Sequence, residues 1–132
     1  MLRYPLGRHP ADAVAFGGHW YKILPGQTTW REAQQKCKQV GGYLACVTSR
    51  KEHEFITRLH PQGHLWLGGI RGDEGRWVWI NGEAMTLTAW HPGEPNNAGN
   101  SEFFLKNGPG GLWFDVPTQD GNVQGCMCEW EY

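Results

Sequence analysis

The spacing of apolar residues changes near residue 65. Before that point, two segments place apolar residues every three or four positions, which is the period of a helix with one buried face. Thr29 with Glu32, and Ser49 with Glu52, have the spacing of a capping box at the start of each segment. A Gly-Gly pair ends the first segment and Pro61 ends the second. The pattern therefore predicts two helices, both in the first half of the chain.

Short apolar and alternating segments predict the strands. Residues 76–82 and 85–90 predict a hairpin around the turn signal Asn81-Gly82. Residues 91–111 are so rich in Gly, Pro and Asn that they predict one long loop instead. The other predicted strands cover residues 19–25, 44–47, 65–70, 112–116 and 123–132.

Length and composition limit the class of protein. A chain of 132 residues is the size of one domain, and eight Trp with nineteen Gly favour a loop-rich fold around an aromatic core. The net charge of -1, with Lys and Arg scattered, predicts no binding of nucleic acid or of an anionic membrane. The sequence has no apolar run near the roughly 20 residues of a membrane span and no signal-peptide pattern at its start. We expect no membrane insertion, and the chain is compatible with being an excerpt of a longer secreted or surface protein.

The long loop is either disordered or ordered by something other than backbone pairing. The aromatic residues in and beside it, among them Trp90, Phe103 and Trp113, are costly to leave exposed, and the loop has little of the repelling charge that keeps a chain unfolded. Loops of this length in compact domains are usually functional or disordered. We favour an ordered, functional loop.

Oxygen donors in and just after this loop indicate what could order it. Glu94, Asn96, Glu102 and Asp115 offer carboxylate and amide oxygens, with no sulfur and one imidazole, His91, nearby. This donor set suits a hard cation, and calcium accepts six to eight oxygens in loose geometry. The alternative is that these are ordinary solvated loop acids.

The four cysteines allow three pairings. Cys126 and Cys128 form a CxC, and the absence of a CxxC argues against zinc. A disulfide from Cys37 to Cys128 would close a loop of about 90 residues. For Cys46 and Cys126, two small buried thiols are the alternative to a bridge.

The stretch "WREAQQKCKQVGGYLACVTSRKEHEFI" joins the two predicted helices, and "LWLGGI", "GEPNN", "WFD" and "CMCEWE" follow it in that order. Together these motifs resemble a C-type lectin-like domain over residues 18–132. The first stretch is similar to the family's first helix, Gly-Gly-x-Leu-Ala stretch and second helix. The four short motifs resemble its Trp-Ile-Gly-Leu strand, sugar-binding loop, Trp-Asn-Asp strand and closing Cys-Glu segment. Residues 1–17 are then an N-terminal extension.

The resemblance implies an α+β double-loop fold with two helices, two small antiparallel sheets and a long calcium- and sugar-binding loop. It also implies a Cys37–Cys128 disulfide and a cis peptide bond before Pro95. The family's usual second disulfide has no counterpart here, so a bridge between Cys46 and Cys126 and a pair of free thiols both stay open.

The resemblance implies a ligand set for calcium and sugar as well. The matching positions are Glu94, Asn96, Glu102 and Asp115, and Phe114 stands where the family has the Asn of Trp-Asn-Asp. Two vicinal sugar hydroxyls complete the calcium sphere, and Glu-Pro-Asn is typical of mannose, fucose and N-acetylglucosamine binders. With Phe114 in that place one amide donor is missing, which is expected to lower the affinity for the sugar about tenfold to a hundredfold. The Phe114 ring could instead offer an aromatic face to a sugar or pack into the core.

Several alternatives accompany this hypothesis. The chain could be a protein-interaction scaffold with a weakened or unused sugar site, and Phe114 favours that alternative. A glycoside hydrolase would need two of these carboxylates as its acid and base. Carboxylates that bind calcium cannot take those roles, so we expect no enzyme. A further calcium position near the loop start would have only Glu74 and Asn97 beside Glu102. The tripeptide Arg71-Gly72-Asp73 resembles an integrin motif but is ordinary turn chemistry. The cysteines and the resemblance predict an extracellular or cell-surface protein.

Overall fold

Ten regular elements make up the fold in this computed structural model, which describes residues 6–132. Two helices pack beside one mixed sheet, so the predicted α+β class is confirmed. The elements are β1 (Val14–Phe16), β2 (His19–Pro25), α1 (Trp30–Gln39), β3 (Tyr43–Leu44), α2 (Arg50–Leu59), β4 (Leu65–Arg71), β5 (Trp77–Trp79), β6 (Phe104–Asn107), β7 (Trp113–Val116) and β8 (Gly125–Trp130).

The two helices begin where the capping patterns predict. Thr29 and Glu32 form a complete capping box at α1, because each side chain accepts a hydrogen bond from the other residue's backbone N–H. At α2 the box is only half formed. Ser49 accepts from the Glu52 N–H, but the Glu52 carboxylate accepts from the N–H of Thr48 instead of Ser49. The reason is that Glu52 is buried and also accepts the Tyr21 hydroxyl.

The strands form one sheet, which corrects the expected two small antiparallel sheets. Their order is β1-β2-β8-β4-β6-β7, with β3 beside β8 and β5 beside β4. The last strand, β8, lies between β2 and β4 and runs parallel to β4, so it joins the early and late parts of the chain in one ladder. Near the other end of the chain, β1 lies within residues 1–17, the segment predicted as an N-terminal extension, and it pairs with β2.

The predicted hairpin is wrong. Residues 85–90 form no strand, and only an isolated bridge joins Val78 to Ala84. The alternation in this segment is nevertheless real, because Met85, Leu87 and Ala89 all pack against the core. Burial of every second side chain produced this alternation without any strand pairing. The expected partner strand, β5, pairs with β4 instead.

The predicted loop 91–111 is interrupted by a strand that the sequence did not indicate. In β6, Leu105 and Asn107 are buried, and the strand pairs with β4 on one side and β7 on the other. The charged Lys106 made this segment look like a loop in the sequence. In the fold its ammonium group is paired with Asp120 at 2.5 Å. The irregular segment is therefore residues 91–103.

Two apolar clusters fill the core. One contains Trp79, Trp113, Leu105 and Met127, and the other contains Trp30, Trp66 and Trp130. The second cluster holds the Cys37–Cys128 disulfide, which the resemblance implied. Loop 91–103 is anchored at both ends. It follows Trp90, which packs against the first cluster, and it leads into β6.

Candidate functional site

Loop 91–103 brings together three of the predicted site residues, and β7 contributes the fourth. The Glu94-Pro95 peptide bond is cis, as the resemblance implied. Asn96 precedes a short 3-10 turn over Ala98–Asn100, and Glu102 follows that turn. Asp115 lies in β7, next to the strand β6 that the loop leads into.

The three carboxylates converge. Oxygen atoms of Glu94, Glu102 and Asp115 lie within 4.8 Å of one another. Asp115 is only 1% exposed, and its two oxygens accept hydrogen bonds from the N–H groups of Asn96 at 3.1 Å and Asn97 at 2.7 Å. These bonds hold the loop backbone against β7.

Asn96 and Glu102 are tied to the same turn. The N–H of Ala98 lies 2.8 Å from a carboxylate oxygen of Glu102 and 3.2 Å from the side-chain oxygen of Asn96. A carbonyl oxygen has two lone pairs, so the Asn96 oxygen keeps acceptor capacity beyond this bond. The structure therefore places all four predicted ligands around one small part of the loop.

The site carries an electrostatic penalty that a cation would remove. Burial raises the pKa of Glu94 to about 7, and a hydrogen bond to Asp115 and the negative charges of Asp115 and Glu102 add to this shift. Burial also raises the pKa of Glu102, and the charge of Asp115 contributes. Three close carboxylates and an amide oxygen are the donor set that calcium prefers, so these residues fit that ion.

The Phe114 side chain cannot donate a hydrogen bond as an amide would. It is half-buried, and its ring stacks on His91 with centroids 4.9 Å apart and planes 26° apart. The ammonium of Lys106 lies 5.7 Å from the centre of the same ring, and His64 is also in contact. The ring therefore packs beside the site against other side chains.

The further calcium position has little support. Glu74 does not belong to the carboxylate group formed by the described residues. The side-chain oxygen of Asn97 accepts a hydrogen bond from the Arg71 guanidinium at 2.8 Å. The Arg71 guanidinium therefore already uses the side-chain oxygen of Asn97 that such a site would need.

A second polar cluster, which no sequence pattern indicated, is formed by residues of β2, α2 and β8. His19, Glu52 and Glu129 come close together, with a histidine nitrogen of His19 2.5 Å from Glu129. Glu129 also accepts the N–H of Cys46, and Tyr21 donates to Glu52. Because donors of the protein already meet both carboxylates, this cluster is a buried hydrogen-bond network.

Burial makes Glu129 a titratable group near neutrality. Its pKa rises to about 7, chiefly through burial and then through the charge of Glu52, against the lowering effects of the Cys46 N–H and His19. The Glu of the closing Cys-Glu segment was visible in the sequence, but no local pattern indicated that the chain would bury it next to Glu52.

The remaining cysteines are free thiols. Cys46 packs in the cluster of Trp79 and Met127, whereas Cys126 packs beside the disulfide in the other cluster. They belong to different parts of the core, so the alternative of a second bridge is wrong. Burial raises the pKa of Cys126 to about 11 and that of Cys46 well above its usual range, which keeps both thiols protonated.

Comparison with known proteins supplies the family. The family model described as "Lectin C-type domain" matches residues 26–129. The chain belongs to the C-type lectin domain family. In the part of the chain that the structure describes, none of the helices is long and apolar enough to cross a membrane.

Relatives and solved structures agree with this membership. The chain is 39% identical to Lectin BRA-3 of Megabalanus rosa over 99 residues, which are 73% of this chain and 61% of that protein. It superposes with a TM-score of 0.84 on the cow carbohydrate-recognition domain of CD23, solved in the presence of a GlcNAc2Man3 oligosaccharide, at 27% identity over 92% of this chain and 95% of that one. It also superposes with a TM-score of 0.82 on a calcium-independent type II antifreeze protein, at 25% identity over 92% and 93%.

The family membership sets the class of function. C-type lectin domains are non-enzymatic carbohydrate-binding or interaction domains, so the expectation that the chain is not an enzyme is confirmed. The chain spans less than two thirds of the length of Lectin BRA-3 and of other curated relatives that it matches. It corresponds to one part of those longer proteins.

Proposed function

We propose that this C-type lectin domain binds carbohydrate through calcium, with mannose-type or related glycans as its ligands. The observation that carries the proposal is the convergence of Glu94, Glu102 and Asp115 oxygens within 4.8 Å in a folded loop. Carboxylates at this separation repel one another, and the pKa of Glu94 is raised by burial first, then by a hydrogen bond to Asp115 and by the charges of Asp115 and Glu102. Asp115 also differs from an ordinary solvated acid, because it is buried and accepts hydrogen bonds from two N–H groups of the loop.

Glu94, Asn96, Glu102 and Asp115 would hold the ion. Calcium would supply a positive charge and the open coordination positions that two vicinal sugar hydroxyls can fill. The side chains have separate roles toward those hydroxyls: the carboxylates of Glu94 and Glu102 accept hydrogen bonds, and the Asn96 amide donates one. Vicinal equatorial hydroxyls, as in mannose, suit the Glu-Pro-Asn order.

Binding of one sugar is expected to be weak. At the position where a second amide would donate, Phe114 packs its ring against His91. A hydroxyl that lacks this donor loses a hydrogen bond next to charged groups, which costs about tenfold to a hundredfold in affinity. Several copies on one surface would compensate by avidity.

The domain is proposed to act outside the cell or at its surface. Its Cys37–Cys128 disulfide is stable in an oxidising compartment, and its relatives are mostly secreted or cell-surface proteins. Glycans are the expected partners, and neither nucleic acid nor a lipid bilayer is among them.

Binding to immobilised mannan, compared with a galactose polymer, tests the proposal in millimolar calcium and in chelator. The wild-type domain should bind mannan only in calcium. Glu102→Gln should abolish binding, whereas Glu74→Gln, a matched change at an exposed carboxylate outside the cluster, should leave it intact. Mannan binding that persists in chelator would falsify the proposed mechanism.

A protein-interaction scaffold is the second candidate, and Phe114 is the observation that favours it. Phe114 provides no polar group at a position where the amide of an Asn would contact the sugar, and its ring packs on His91. The antifreeze neighbour described as calcium-independent has the same fold without calcium in its function. A folded domain that binds calcium but none of a broad set of glycans would support this candidate.

A further inference from the structure

Arg71 connects the end of β4 to the site loop. One guanidinium nitrogen, Nη2, donates to the side-chain oxygen of Asn97 at 2.8 Å. A second nitrogen, Nε, donates to the main-chain oxygen of Glu102 at 3.2 Å. The guanidinium also lies over the ring of Phe103, 4.2 Å from its centroid. A planar cation on a half-buried stem thus makes three separate contacts with one loop.

Asn97 forms hydrogen bonds both with Arg71 and with two of the proposed calcium ligands. Its side-chain oxygen also accepts the N–H of Glu102 at 3.3 Å, and its own N–H donates to Asp115 at 2.7 Å. The residue has φ of 46°, a left-handed conformation in which Asn is among the few favourable side chains. Asn97 therefore stands between Arg71 and the two carboxylates.

The contacts of Arg71 leave the carboxylate oxygens available. Among the described residues, Arg71 forms no ion pair, because its hydrogen bonds go to an amide oxygen and a main-chain oxygen. An arginine that paired with Glu94 or Glu102 would compete with a metal ion for their oxygens. This arrangement stabilises the loop without that competition.

We propose that Arg71 is a built-in cation that positions the site loop before calcium binds and takes the place of a second metal ion. The inference deepens the proposed function and rests on it only where calcium is concerned. Arg71 is a positioning residue: it holds Asn97 and Glu102, and it does not touch the ion or the sugar. A single calcium is then sufficient to complete the site.

The Arg-Gly-Asp tripeptide has a structural role in this fold and does not serve adhesion. An integrin-type motif needs an accessible arginine, but here the guanidinium is directed into the loop and stacked on Phe103. Gly72 and Asp73 then form the turn after β4, with the Gly72 N–H bonded to the Arg76 oxygen.

Amide hydrogen exchange in chelator tests the positioning role without any need for calcium binding. In Arg71→Met, which keeps an apolar stem but has no donors, the amides of Asn97, Ala98 and Glu102 should exchange at least about tenfold faster than in the wild type. Arg71→Lys, which retains the charge and a single donor group, should be intermediate. Arg76→Met, a matched change at an exposed arginine, should leave these rates unchanged.

Calcium titration by calorimetry is the second readout. The wild type should bind one calcium per chain, and Arg71→Met should bind it about tenfold more weakly while saturating calcium restores slow exchange in the loop. Slow exchange of the β8 amides verifies that each variant is folded; if Arg71→Met loses that protection, Arg71→Lys carries the comparison. Unchanged loop exchange in the variants, or two calcium ions per wild-type chain, would overturn the proposal. A wild type that binds no calcium would remove the proposed function, and the exchange rates would still decide whether Arg71 holds the loop.

Discussion

Phe114 stacks on His91, with ring centroids 4.9 Å apart and ring planes 26° apart. His91 is the residue at which the site loop begins, and Phe114 precedes the buried Asp115 in β7. The Phe114 side chain therefore packs the start of the loop against β7. Its effect on packing and its effect on sugar binding can be measured separately.

Replacing Phe114 by asparagine should strengthen sugar binding and weaken the fold. The new amide can donate to a hydroxyl, so affinity for a methyl mannoside should rise about tenfold to a hundredfold in calcium. Loss of the half-buried ring should cost about 1 to 3 kcal/mol of unfolding free energy. Calorimetry and thermal melting measure the two effects. Phe114→Leu is the control, because it loses the stacking without adding an amide, and an equal gain in affinity there would contradict the donor explanation.

Calcium should stabilise the folded domain, because a ligand that binds only the folded state adds to its stability. At a calcium concentration of about 100 times the dissociation constant, the gain is about 2.7 kcal/mol, which corresponds to a rise in Tm of roughly 5 to 10 °C. Asp115→Asn should lose most of this rise, since it removes a buried charge at the centre of the cluster. Glu74→Gln should keep the full rise. Equal Tm values for the wild type in calcium and in chelator would count against the site.

The Cys37–Cys128 disulfide should supply a large part of the stability. The bridge joins residues 91 positions apart, and in the chain-entropy model a loop of that length contributes about 4 to 5 kcal/mol. The double change Cys37→Ala and Cys128→Ala should lower Tm by roughly 15 °C in a thermal melt.

Cys126→Ala is the matched control for that experiment, because this thiol lies in the same cluster but bridges nothing. It should cost only about 1 kcal/mol. A thiol reagent should modify two cysteines per wild-type chain after unfolding and none before it, since Cys46 and Cys126 are buried. Rapid labelling of the folded domain would contradict the burial.

Glu129 should make the fold less stable as pH rises. Its pKa is about 7 in the fold against an ordinary value of 4.5, so between these values the folded state holds more protons than the unfolded one. The stabilisation is present at pH 4.5 and is lost as pH rises through 7. Tm in chelator should therefore fall between pH 5 and pH 8, and Glu129→Gln should reduce the fall by at least about 4 °C.

The glutamine at 129 can preserve the local hydrogen bonds, because its oxygen can accept the Cys46 N–H and its amide can donate to His19. Glu54→Gln, on the exposed side of α2, is the control and should follow the wild type. A fall in Tm that is the same size in Glu129→Gln as in the wild type would show that the Glu129 carboxylate does not titrate in this way.

Local signals in the sequence predicted the helices well, and non-local pairing decided the strands. The capping box of Thr29 and Glu32 acts within one turn, so its outcome does not depend on the rest of the chain. β6 was missed because Lys106 becomes acceptable in a buried strand only through Asp120, fourteen residues later. The hairpin at 85–90 was predicted wrongly because alternating burial and strand pairing produce the same pattern.

The candidate site divides in the same way. The residue types at 94, 96, 102 and 115 were enough to predict a hard-cation site, and their roles as ligands stay a prediction. Arg71 gave no such signal, because in the sequence it belongs to a turn motif and lies 26 residues from Asn97. The buried network around Glu129 was equally hidden, since its partners are spread over the chain from His19 onward.

The sequence by itself determined the family, the two helices, the Cys37–Cys128 pairing implied by the resemblance, and the oxygen donors of the loop, because short motifs and side-chain chemistry carry that information. Only the tertiary structure decided that the donors converge on one point, that Phe114 packs on His91, and that Arg71 holds the loop. Those outcomes depend on which distant strands pair, and the free energy of that pairing is shared over the whole core and not contained in any one segment.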